Sequence, residues 1–159
     1  MTKIPWDKLR RVAREARASS HAPYSGFNVG AAVQGLSGKI YDGANIEVSS
    51  YGLTICAERL AVFKAVQAGE QELVAVAILA DTTVPCPPCG ACRQVLHDFG
   101  SGAQVLLEQL DGDRELRSIE SLLPGAFTPA MLLDVTRRHH RQLLVPGIDI
   151  LPSAEGEEE

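Results

Sequence analysis

Three cysteines and a glutamate are the residues whose types and spacing could do chemistry in this chain. Cys89 and Cys92 form a C-x-x-C pair within Pro88-Cys89-Gly90-Ala91-Cys92-Arg93-Gln94, and Cys56 adds a third sulfur upstream in Cys56-Ala57-Glu58-Arg59. Three thiolates can hold Zn2+ and leave the fourth tetrahedral position open, as catalytic zinc sites do. Water in that position becomes far more acidic and is available as hydroxide near neutral pH. Glu58 stands two residues after Cys56, close enough to work on that water without ligating the metal.

Cys86 keeps a second reading open. Cys86-x-x-Cys89-x-x-Cys92 together with Cys56 makes four sulfurs, enough for a closed structural zinc site. Pro85, Pro87 and Pro88 stiffen the backbone around Cys86 in an extended form, which favours Cys89 and Cys92 sharing a metal from one helical turn without it. A structural site also has no use for Glu58. Arg59 is either a donor to a ligand sulfur, drawing charge off an over-compensated metal, or a solvated helix arginine. Asn45 and Glu47 flank one residue of a strand and so share a face. They suit a sugar diol, or else they form a solvent-facing strand edge. None of the four histidines is assigned chemistry.

The elements that must position these groups follow from periodicity and turn residues. Apolar positions Trp6, Leu9, Val12, Ala13 and Ala16 predict a helix over 5–18. Alternation through Phe27, Val29, Ala31 and Val33 predicts a strand, with a hairpin turn at 36–39 and a second strand over 40–46. Gly43 marks a bulge or a close backbone approach in it. Thr54 is placed to cap a helix over 55–68 with a core stripe of Leu60, Ala61, Phe63 and Val66. The unbroken apolar run 73–80 reads as a strand buried on both faces. A proline-rich loop over 84–88, a helix from about 90 to 99, and strands over 103–110 and 114–118 complete a βαβ-containing chain. Thr128-Pro129 opens a last helix to about Arg141, and 153–159 reads as a disordered tail. The predicted fold is α/β, three layers (α/β/α) around a five-stranded mixed sheet. Residues 1–145 form one catalytic domain and 146–159 an extension.

Length, charge and cysteine usage bound the function. A chain of 159 residues suits one core. No apolar run reaches membrane-spanning length and no signal-peptide pattern opens the chain, so a cytoplasmic location and no membrane partner are expected. Clustered cysteines in such a chain favour metal or catalysis over disulfides. The formal charge is -5, and Glu155, Glu157, Glu158 and Glu159 supply four of the twenty acids. The rest is near neutral, so nothing in the balance asks for a polyanionic partner, and a small-molecule substrate is favoured over nucleic acid. The basic cluster Arg137-Arg138-His139-His140-Arg141 reads as a solvated helix end.

These motifs together resemble the homotetrameric, three-cysteine cytidine deaminases. The resemblance extends to Pro23-Tyr24-Ser25-Gly26-Phe27-Asn28-Val29-Gly30-Ala31-Ala32, Asn45-Ile46-Glu47, Tyr51-Gly52 and Leu122-Leu123-Pro124-Gly125-Ala126-Phe127, covering roughly residues 6–136. It implies Zn2+ on Cys56, Cys89 and Cys92, with Glu58 carrying protons between water, N3 of cytosine and the departing amine. It also implies Asn45 and Glu47 on the ribose hydroxyls, Phe27 against the nucleoside, and the backbone around Ala57 and the Pro88 loop on the base. Phe127 would enter a neighbouring subunit's pocket, and Arg59 would support the metal ligands. The implied substrates are cytidine and deoxycytidine in pyrimidine salvage. A related deaminase of another aminopyrimidine nucleoside, such as blasticidin S, and a non-enzymatic four-cysteine zinc module are the alternatives. Val48, Cys86 and Pro87, and some two dozen residues at the end, depart from the family pattern.

Overall fold

The computed structural model describes residues 4–133. The chain divides into two compact units, the first ending at Ala126 and the second beginning at Phe127. The first holds α1 (Trp6–Arg17), β1 (Val29–Gly35), β2 (Ile40–Ala44), α2 (Ala57–Gln67), β3 (Leu73–Ala80), α3 (Gly90–Gly100), β4 (Gln104–Gln109), β5 (Arg114–Ser118) and a single-turn α4 (Ile119–Leu122). The five strands form one sheet in the order β2-β1-β3-β4-β5. Only β3 and β4 run parallel, linked through α3 as the βαβ unit predicted from sequence; the other neighbours are antiparallel.

The sheet separates two apolar layers, which makes the fold a three-layer α/β/α. Leu9 and Ala13 of α1 pack on Ala32, Ala75, Ala77 and Leu79. On the other face, Ala57, Ala61, Val62 and Ala65 of α2 and Leu96 of α3 pack on Val29, Ala31, Val33, Val76 and Ile78. All seven residues of β1 are therefore buried. The alternation seen in sequence came from small residues rather than from a wet face, and Phe27 lies before the strand. Two glycines permit this closeness. A Cβ at Gly30 would stand 2.0 Å from the Ala13 carbonyl oxygen, and one at Gly43 would stand 2.2 Å from that of Ala57. Close approach, not a bulge, is thus what Gly43 provides, and it seats the start of α2 directly on β2.

The α2 helix departs from its sequence reading in two ways. It starts at Ala57 with Cys56 as N-cap, in extended conformation. Thr54 instead accepts a hydrogen bond from the Val48 N–H through its hydroxyl, 3.3 Å, and Ile55 pairs with Ile46 in an isolated bridge. Its buried face is Ala57, Glu58, Ala61, Val62 and Ala65, whereas Phe63 is exposed. The stripe drawn through Phe63 is rotated off the true one because small alanines, not the large side chains, allow the helix onto the sheet. In the second unit residues 129–133 are helical, with the Thr128 carbonyl accepting from the Met131 N–H at 3.0 Å. The predicted continuation to Arg141, the basic cluster and the tail lie outside the described residues.

Candidate active site

Both cysteine motifs sit at helix starts. Cys56 is the N-cap of α2, Cys89 the N-cap of α3, and Cys92 lies in the first turn of α3. Each N-cap has extended backbone, so the thiol stands beside the unpaired N–H groups and positive end of its helix, which favours thiolate. The Cys56 and Cys89 sulfurs are 3.9 Å apart and those of Cys89 and Cys92 3.3 Å apart. All three lie within 4.8 Å of one another, without Cys86. Tetrahedral zinc with bonds of about 2.3 Å asks for sulfurs roughly 3.8 Å apart, so this triangle fits it. The Cys86 sulfur is directed to the Pro87 carbonyl oxygen at 3.7 Å.

Electrostatics agree with a cation-binding sulfur cluster. The Cys56 sulfur is pulled well below the usual thiol range, to about 5, by a hydrogen bond from Cys92 and by the Arg59 guanidinium. Cys92 is pushed up, because it is the donor in that bond and is buried. Arg59 donates to the Cys56 sulfur at 3.7 Å and to the Thr54 carbonyl at 2.9 Å, so it meets a thiolate rather than bulk solvent. Arg93, to which sequence analysis gave no role, donates to the carbonyls of Pro88 at 2.7 Å and Leu122 at 2.9 Å. It thereby fixes the turn that presents Cys89.

Glu58 is buried in the first turn of α2, and burial pushes its carboxyl up to about 7, with the Cys56 charge acting the same way. A carboxyl poised there can both accept and return a proton near neutrality. The same shift has a cost for the metal-free chain. Relative to the ordinary value of 4.5, nothing is lost below pH 4.5. The loss grows between 4.5 and about 7 and is complete above, on the order of 3 kcal/mol. Metal-free Glu58→Gln should therefore melt higher than the parent at pH 8 and equally at pH 4. Equal melting at both pH values would contradict the raised carboxyl.

One cleft of about 280 Å3 joins these groups to the others singled out in sequence. Its lining includes Phe27, Asn45, Glu47, Cys56, Glu58 and Cys89. Asn45 and Glu47 lie just past β2, where Ile46 between them bridges to His21 and Ile55, so the chain stays extended and both side chains reach the cleft. They are buried, 8% and 5% exposed, which rules out the solvent-facing edge. Cys92, Ala57 and Arg59 are not among its lining residues; Ala57 is buried at the start of α2. Phe127 lies in the second unit and is 54% exposed. Sequence analysis did not nominate Ser25, Tyr51, Thr54 or Pro87, nor Cys86 as a cleft residue, yet all five line it. Their loops carry no periodic signal that would have marked them.

A family model described as the cytidine and deoxycytidylate deaminase zinc-binding region matches residues 6–108. The cytidine deaminase of Halalkalibacterium halodurans is 50% identical over 121 residues, covering 76% of this chain and 92% of that protein. That of Mycobacterium tuberculosis is 39% identical over 127 residues, covering 80% and 92%. Among solved structures, the crystal structure of cytidine deaminase from Burkholderia pseudomallei superposes with a TM-score of 0.74 at 43% identity, covering 80% of this chain and all of that one. The Mycobacterium tuberculosis structure gives a TM-score of 0.69 at 38% identity, covering 79% and 98%.

Proposed function

The chain belongs to the zinc-dependent cytidine and deoxycytidylate deaminase family, and on that premise we propose that it hydrolyses cytidine and 2'-deoxycytidine to uridine and 2'-deoxyuridine with release of ammonia. The observation that carries this reading is the buried Glu58 carboxyl opening onto the same cleft as the Cys56 and Cys89 sulfurs and the Asn45–Glu47 pair, with the buried Cys92 sulfur completing the triangle. Zn2+ on those three sulfurs supplies a Lewis acid that makes water a nucleophile at neutral pH.

The residues of the chain do the rest. Glu58 takes a proton from the attacking water and places it on N3 of the ring. It then carries the second proton to the exocyclic nitrogen, which leaves as ammonia while the C4 oxygen becomes the carbonyl of the product. Arg59 draws charge from the Cys56 sulfur. Phe27 packs on the nucleoside, the backbone around Ala57 and Pro88 reads the base, and Asn45 and Glu47 take the sugar hydroxyls. The test is a mass balance: the zinc-loaded protein should yield ammonia and uridine from cytidine one for one, and far more slowly from free cytosine. Full zinc occupancy with no ammonia from either nucleoside would overturn the reading.

The assembly we infer is a homotetramer, with Phe127 closing a neighbouring chain's cleft. Leu53, 73% exposed, and the exposed Phe63 are apolar surface that association would cover. Full activity from a species of one-chain mass in sedimentation would contradict this. Among the described residues no helix is long and apolar enough to cross a membrane. We assign the chain to the cytoplasm, acting on free nucleosides without nucleic acid, and take residues 1–145 as its catalytic domain with 146–159 as an extension.

A further inference from the structure

We propose that Ser25 is a positioning residue for sugar recognition: its hydroxyl ties the Glu47 carboxylate to the backbone of Phe27. The group that takes a sugar hydroxyl and the ring that packs on the nucleoside are then registered through one atom. The proposal rests on the sugar role given to Glu47 above. The Ser25 hydroxyl donates to Glu47 Oε1 at 2.5 Å and accepts from the Phe27 N–H at 2.9 Å. A serine hydroxyl can donate and accept at once, which alanine cannot.

The surroundings of Glu47 show why such a tie is needed. Oε2 accepts from the backbone N–H groups of Tyr24 at 2.9 Å and Ser25 at 3.2 Å. Oε1 accepts from the Ser25 hydroxyl and from the Tyr51 hydroxyl, the latter at 3.1 Å. A carboxylate offers about four acceptor positions, so Glu47 is filled by the protein itself, and these donors hold its carboxyl down to about 2. An arriving sugar hydroxyl must displace one of them. The two N–H groups are fixed by the turn closed between the Gly26 N–H and the Ala22 carbonyl, 3.0 Å. Ser25 is anchored a second time by Phe27. Tyr51 makes the longer of the two side-chain bonds and comes from a separate turn, 51–53. The sugar hydroxyl takes the place of Tyr51, while Ser25 keeps the carboxylate aimed. Asn45 separately holds the Phe27 carbonyl at 2.8 Å, so losing the serine disturbs Glu47 more than the ring.

The test uses the zinc-loaded full chain with cytidine and with 2',3'-dideoxycytidine, which lacks both ring hydroxyls. Ser25→Ala should raise KM for cytidine roughly tenfold, the scale of a hydrogen bond to a charged group, with kcat nearly unchanged. KM for the dideoxynucleoside should move much less. Ser25→Thr, which keeps the hydroxyl, should restore cytidine KM. Ser25 is an exposed loop residue, and equal zinc content in parent and variants controls for folding. An equal KM rise for the two substrates, or none for cytidine, overturns the proposal. Glu47→Gln separates this failure from a deeper one. If it leaves the ratio of the two KM values at the parental level, the sugar role of Glu47 fails and the Ser25 inference falls with it. If it collapses the ratio while Ser25→Ala does not, only the role of Ser25 fails.

Discussion

Glu58→Gln should retain one zinc per chain and the fold while losing turnover by roughly a thousandfold or more, near the upper end of what a positioned acid–base group contributes. Glutamine keeps the shape of the side chain in the first turn of α2 but cannot carry a proton. KM for cytidine should change little, because the proton transfers belong to the reaction and not to ground-state binding. In the metal-free chain, burial lifts this carboxyl to about 7, so the substitution removes a group that the fold prefers uncharged. Substantial activity at full zinc occupancy would remove Glu58 from the mechanism.

The parts of this molecule that were legible in the sequence are those governed by local pattern. The apolar run 73–80 gave β3, and β5 falls on 114–118 as read from the sequence. The two cysteine groups at helix starts could be read from spacing and turn residues alone. What failed did so where tertiary packing overrides periodicity. In α2 the alanines define the buried face because Gly43 lets the helix sit close, and Phe63, the largest apolar residue, is left outside. Thr54 looked like a cap because its hydroxyl is a good one, yet the cap position belongs to Cys56, whose sulfur must face the cluster. Alternation placed Asn45 and Glu47 on one face but could not say that the face was buried. Ser25 reaches Glu47 across 22 residues and Arg93 reaches Leu122 across 29. Contacts of that span leave no trace in a window of ten residues.

The second large effect is a contrast between two cysteines three residues apart. Cys89 is the N-cap of α3 and a corner of the sulfur triangle, so Cys89→Ser should lose most of the bound zinc and nearly all ammonia release. Cys86 packs partly into the core, and its sulfur is directed to the Pro87 carbonyl. Burial pushes its thiol up, away from the thiolate a metal would require. Cys86→Ser should therefore keep the metal, with a packing cost of about 1 kcal/mol and a modest change in KM from its place in the cleft lining. A closed four-sulfur site predicts otherwise, because losing any one ligand of a structural zinc removes folding free energy. Zinc content and ammonia release, measured on the same samples of parent, Cys86→Ser and Cys89→Ser, test the open three-sulfur centre most directly. One zinc per chain and most of the parental activity in Cys86→Ser, against loss of both in Cys89→Ser, is the predicted result; equal zinc loss in the two variants would contradict it.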